Sequence, residues 1–113
     1  MVKEVDIAAL VRAQVEGLHL VDVREPDEYA AGHVPGARNL PLSTLPLSHH
    51  ELPRGECVFV ICASGARSQQ AARTLELAGF DAVSVTGGTA AWVRDGHPVL
   101  TGTQPSQPGG TSP

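Results

Sequence analysis

Short aliphatic runs alternate with helix-patterned segments about five times along the chain, and this alternation leaves few folds open. CVFVIC (57–62) is the clearest strand. ARSQQAARTLELAG (66–79) is the clearest helix, with Ala71, Leu75 and Ala78 on one face and Gly79 as its cap. VKEV (2–5), LHLVDV (18–23), ARNL (37–40) and DAVSV (81–85) read as further strands. DIAALVRAQVEG (6–17) sets Ile7, Leu10, Val11 and Val15 at helical spacing, and Gly17 suits its end. EPDEYAAG (25–32) puts Pro26 and acidic residues at the front of a short helix, where both are favoured, and Gly32 stops it. GGTAAWVRDG (87–96) is a last short helix between glycines. Pro41, Pro46 and Pro53 leave room for at most one irregular helix over 41–55. The strands are too apolar for a half-exposed sheet, so the pattern predicts a parallel sheet covered by helices on both faces. Ligands of such sheets sit at the carboxyl ends of strands. Two of those ends are chemically unusual, DVRE after the second strand and CASGAR after the fourth.

The chain has 113 residues, the size of one domain, and 42% of them are hydrophobic. Tyr29, Phe59, Phe80 and Trp92 are its aromatic residues, so the core must be built mostly of Val, Leu, Ile and Ala, with Trp92 among them. A net charge of −4 without any basic cluster argues against nucleic-acid binding. No apolar run approaches the roughly 20 residues that span a bilayer. MVKEVDIAALVRAQ carries charges throughout and has no signal-like apolar stretch, which makes the cytoplasm the default expectation. TGTQPSQPGGTSP (101–113) has neither charge nor aliphatic residues; it is expected to be a disordered tail following a domain over 1–100.

The chain carries two cysteines, Cys57 and Cys62. On one strand their Cα atoms lie about 16 Å apart at ~3.3 Å per residue, against the roughly 7 Å a disulfide tolerates. Their spacing is not that of a zinc site and the histidines are scattered, so no metal is expected. Cys57 reads as a small buried hydrophobe. Cys62 ends its strand just before a helix, and the loop between is built of Ala63, Ser64, Gly65 and Ala66. Small side chains let backbone N–H groups converge, and Gly65 permits an unusual dihedral. The helix N-terminus and the charge of Arg67 also favour thiolate over thiol at Cys62. An ordinary turn would accommodate Ser64 equally well, and a solvated first helical turn would accommodate Arg67.

VDVREPDEYAAGHVPGARNLPL (21–42), VFVICASGARSQQAARTLELAGF (58–80) and VTGGTAAWVRDGHPV (85–99) resemble, in order, the first signature, active-site segment and closing signature of single-domain rhodaneses, a sulfurtransferase family. The resemblance covers residues 2–99. It implies a three-layer α/β/α fold on a mainly parallel five-stranded sheet. It also implies that Cys62 accepts a sulfane sulfur from an anionic donor such as thiosulfate, becoming a persulfide cradled by the N–H groups of residues 63–67, with Arg67 orienting the donor. Asp22 and Arg24 are then expected beside the loop as a charge pair that fixes it, direct substrate contact being the alternative. His33 is expected to be a turn histidine with a structural hydrogen bond, and His49 and His50 to be solvated.

No cofactor is required by this chemistry. Thiosulfate, a polysulfide, glutathione persulfide or a persulfidated protein would serve as donor; cyanide, a thiol or a sulfur-accepting protein would serve as acceptor. Related phosphatases use a C-x5-R loop to ring a phosphate, whereas the C-x4-R spacing here suits a single sulfur; arsenate reduction is disfavoured for the same reason. A regulatory or interaction module without turnover is the remaining alternative, although inactive modules of this kind typically lack the cysteine. A monomer is the default.

Overall fold

The computed structural model describes residues 2–105. Five strands form one sheet: β1 (Lys3–Val5), β2 (His19–Asp22), β3 (Ala37–Asn39), β4 (Cys57–Ile61) and β5 (Asp81–Val85). Every pairing is parallel and the order is β1-β5-β4-β2-β3. The chain leaves β2 for one edge through β3 and returns to place β4 on the other side of β2, so the order reverses between β2 and β4. This is the position at which open α/β sheets form ligand crevices.

The helices are α1 (Ile7–Glu16), α2 (Pro26–Ala31), α3 (Leu45–Ser48), α4 (Ala66–Leu77) and α5 (Gly88–Arg94). Asp6 caps α1 by accepting from the Ala9 N–H at 2.9 Å, and Pro26 opens α2, whose first turn carries Asp27 and Glu28. The proline-rich stretch breaks into α3 and a single 3-10 turn on each side of it, Leu42–Thr44 and His49–Glu51. None of the helices among the described residues is long and apolar enough to cross a membrane.

Strand alternation divides the core into two layers. On one face Val21, Val23, Val58, Val60 and Cys62 pack with Ala71, Ala72 and Leu75 of α4. On the other, Leu20, Ile61 and Val85 pack with Ile7 and Leu10 of α1, Tyr29 of α2, and Ala91 and Trp92 of α5. Cys57 shares its parity with Phe59 and Ile61, so the two cysteines lie at opposite ends of β4 and point to opposite faces. Both are free thiols.

Residues 101–105, at the start of the expected tail, make contacts with the domain. The Gly102 N–H donates to Ala30 O at 2.8 Å, the Gly36 N–H donates to Pro105 O, and His33 Nε2 lies 2.8 Å from Gln104 O. Composition overlooks this because the segment is held by its backbone, which needs no aliphatic side chain. The rest of the expected tail, 106–113, lies outside the described residues. His33 is fully buried, stacked on Tyr29 with ring centroids 3.7 Å apart, and its Nδ1 lies 2.9 Å from Tyr29 O. A chain ending at residue 100 deprives His33 Nε2 of its carbonyl partner and loses the backbone bonds of Gly102 and Pro105, at a cost of about 1–3 kcal/mol. It is expected to melt roughly 4 °C or more below a chain ending at residue 105; equal melting temperatures would show that these contacts add no stability.

Candidate active site

Cys62 follows the last residue of β4 and is 1% exposed. Beyond it the chain must turn at once into α4, and Gly65 makes the turn with φ of 115°, a left-handed conformation that a side chain would strain. The turn aims backbone amides at the sulfur. The Gly65 N–H donates to Cys62 Sγ at 3.0 Å. Burial pushes the Cys62 thiol up, yet hydrogen bonding from the Ser68 side chain and from the amides of Ser68, Gly65 and Ser64 outweighs it, and the net direction is down. Cys57 differs: burial, with Asp81 nearby, pushes its thiol up.

The outward carbonyls of the same loop are taken by α5. The Thr89 N–H donates to Cys62 O at 2.8 Å and the Ala90 N–H to Ala63 O at 3.0 Å. This close approach requires two consecutive left-handed glycines, Gly87 at φ 77° and Gly88 at φ 59°. A Cβ on Gly88 would lie 2.5 Å from Cys62 O and 2.6 Å from Ala63 O. With its carbonyls fixed outward, the loop presents its N–H groups inward.

Arg67 stands in the first turn of α4 with its guanidinium spread across one carboxylate. Nη1 donates to Glu28 Oε1 at 2.7 Å and Nη2 to Glu28 Oε2 at 3.0 Å. Glu28 Oε1 also accepts the Glu25 N–H at 2.9 Å, closing the start of α2. Arg67 therefore ties α4 to α2. The leading contributions that lower Cys62 are hydrogen bonds from Ser68, Gly65 and Ser64, while the Arg67 guanidinium is engaged by Glu28. The Arg67 hydrogen bond, then the Glu25 amide, lower Glu28 from 4.5 to about 2. A depressed folded-state pKa means that the stabilisation is complete above pH 4.5 and is lost as pH falls through 2. Glu28→Gln is thus expected to melt below the wild type at neutral pH, the gap closing between pH 4.5 and 2; a gap independent of pH would exclude the ionised pair as its source.

Asp22 and Arg24 form a buried pair. Arg24 Nε and Nη2 donate to the carboxylate at 3.0 and 2.8 Å, Nη2 also donates to Gly32 O, and the Asn39 amide donates to the carbonyls of Asp22 and Arg24. Their hydrogen bonds fasten β2 to the end of α2 and to β3 and reach none of residues 63–67. His33 is fully buried, held through both ring nitrogens. His50 is exposed, but His49 is half-buried with its ring edge against Phe80, which corrects its expected solvation. Trp92 is core and its Nε1 donates to Pro98 O at 2.7 Å.

Three contributors escape sequence reasoning: Ser68, Glu28 and the amides of Thr89 and Ala90. Ser68 was findable, because it shares the i, i+3, i+4, i+7 face of α4 with Ala71, Ala72 and Leu75, all buried. At the mouth Ala63 is half-buried while Ser64 and Ala66 are exposed, so small uncharged residues surround the sulfur. Among the described residues no three of His, Cys, Asp and Glu are grouped to hold a metal ion. The arrangement is suited to holding negative charge on a buried sulfur.

Comparison with known proteins agrees with this geometry. The family model "Rhodanese-like domain" matches residues 7–95. A sulfurtransferase of Allochromatium vinosum is 40% identical over 103 residues, covering 88% of this chain and 96% of that protein. A rhodanese-related protein of Thermoplasma volcanium superposes with a TM-score of 0.80 at 33% identity, covering 88% of this chain and 99% of that one. A rhodanese-like domain protein of Staphylococcus aureus gives 0.80 at 32%, covering 88% and 98%.

Proposed function

The chain belongs to the rhodanese-like family, and from that premise we propose that it is a sulfurtransferase carrying a sulfane sulfur as a persulfide on Cys62. The similarity to a sulfurtransferase over nearly the whole chain supports sulfur transfer in general. One observation carries the finer reading: a buried thiol at a strand-to-helix turn whose sulfur accepts the Gly65 N–H at 3.0 Å, hydrogen bonding from the turn drawing its pKa down against burial.

In the proposed reaction the Cys62 thiolate attacks the outer sulfur of thiosulfate. The Cys62 S–S bond forms, the donor's S–S bond breaks, and sulfite leaves with the bonding pair. Negative charge on the terminal sulfur falls within the amide cradle, the electrostatic device of an oxyanion hole. A nucleophile such as cyanide then attacks that sulfur, and the Cys62 thiolate departs with the electron pair. Arg67 has five N–H donors and spends two on Glu28; the others are available to a donor's oxygens. No group in this sequence requires a cofactor. Polysulfides, glutathione persulfide or a persulfidated protein fit the same chemistry, as do thiol or protein acceptors. The cytoplasm is the compartment we propose, where thiols stay reduced.

Mixing the protein with thiosulfate and cyanide is expected to yield thiocyanate, and thiosulfate alone is expected to add one sulfur atom to its intact mass. An aryl phosphate is expected to release nothing above background. Arg67→Ala is expected to lower kcat/KM for thiosulfate roughly tenfold to a hundredfold, the range of a charge-assisted contact, with little effect on an uncharged persulfide donor. Phosphatase turnover dependent on Cys62 would overturn this reading.

A further inference from the structure

Two serines are fully buried behind the catalytic loop, Ser68 on α4 and Ser84 on β5. Their hydroxyl oxygens are 2.7 Å apart. Ser68 Oγ also donates to Gly65 O at 3.0 Å. Among the described residues, the Ser84 hydroxyl has Ser68 as its one partner.

Counting protons fixes the direction of this chain. Each hydroxyl has one hydrogen. If Ser68 donated to Ser84, Gly65 O would face a bare oxygen and the Ser84 proton would be buried without an acceptor. If Ser84 donates to Ser68, every hydrogen has a partner. The Ser68 proton is then committed to the loop side, where it serves Gly65 O. Gly65 is also the residue whose N–H reaches Cys62 Sγ.

We propose that Ser84 is a positioning residue for sulfur transfer: by donating to Ser68 it keeps the Ser68 proton directed at the catalytic loop. That proton holds Gly65 O, and with it the turn whose N–H donates to Cys62 Sγ. No bond to carbon or sulfur is made or broken, and no proton leaves Ser68. The arrangement needs only an ionisable Cys62; its extension to the persulfide anion rests on the function proposed above. The charged groups nearby are already paired, Arg67 with Glu28 and Arg24 with Asp22, and none contacts the Ser84 hydroxyl.

The test is the pH profile of Cys62 alkylation by iodoacetamide, which requires no sulfur donor and so reads this inference even if no persulfide forms. Ser68→Ala is expected to raise the apparent pKa by roughly half a unit to one unit, the value of one hydrogen bond. Ser84→Ala is expected to raise it by a smaller but measurable amount. In the Ser68→Ala background, Ser84→Ala is expected to add nothing, since there is no proton left to direct. Ser84→Thr and Ser84→Val have the same shape and differ in the hydroxyl, so any shift between them isolates the donor from packing. Lower stability would affect both equally. An unchanged profile in Ser84→Ala, additive shifts in the double variant, or identical profiles for Thr and Val would each overturn the proposal.

Discussion

Cys62→Ser is expected to abolish sulfur transfer, by roughly 10^4-fold or more, while the protein remains folded. Serine fits the space of cysteine and receives the same amides. Its hydroxyl remains un-ionised at any pH the fold tolerates, and oxygen cannot hold a transferable sulfane sulfur. Cys57→Ser is the matched control. Cys57 begins β4 and points to the opposite face, and burial pushes its thiol up, away from the reactive form. That variant is expected to keep most of its activity and to lose about 1 kcal/mol of stability. Thiocyanate formation and the intact mass after exposure to thiosulfate report both variants together. A folded Cys57→Ser protein without activity would place the sulfur at the wrong end of the strand.

Gly88→Ala is expected to damage the site without altering any group that touches substrate. Two penalties combine: a left-handed φ of 59°, and a Cβ 2.5 Å from Cys62 O and 2.6 Å from Ala63 O. The atoms it meets are backbone, so no side chain can swing aside. Strain and overpacking together come to about 3 kcal/mol, a fall in Tm of roughly 12 °C or more. The relief available is to push the loop from α5, and a displacement of ~1 Å in a catalytic group costs about a hundredfold in rate. Thermal melting and sulfur-transfer rate at a temperature where the variant is folded measure the two effects separately. Gly17→Ala is the comparison: Gly17 is also left-handed, at φ 80°, but a Cβ there meets nothing within 4 Å. It should lose stability through strain alone and retain its turnover. Equal behaviour of the two variants would mean that the loop does not need α5 so close.

The fold was legible because a parallel sheet buried on both faces demands continuous aliphatic strands, and LHLVDV, CVFVIC and DAVSV supply them. Segment 41–55 was legible only as a region without one long helix. Pro41, Pro46 and Pro53 say where a helix cannot continue, but not that three short turns fill the gap. At the site, Cys62 and its small-residue loop stood out because the chemistry and the turn leave a mark on adjacent residues. Glu28 did not, since its partner Arg67 is 39 positions away and no local pattern records that pairing. Thr89 and Ala90 contribute backbone amides, which every residue but proline has. Ser84 sits in an apolar run, where one small hydroxyl reads as a tolerated substitution. Residues 101–105 show the converse: a composition with nothing to bury still supplies carbonyls to a buried histidine and to a turn.

The hold of α5 on the loop also sets an order of events during synthesis. The ribosome releases Cys62 well before Thr89 and Ala90, the residues that turn the carbonyls of Cys62 and Ala63 outward. β5, which lies between β1 and β4 in the sheet, is made late as well. A nascent chain that stops short of residue 88 therefore has the cysteine without the contacts that turn its loop's carbonyls outward. The site is therefore completed only as α5 docks against the loop.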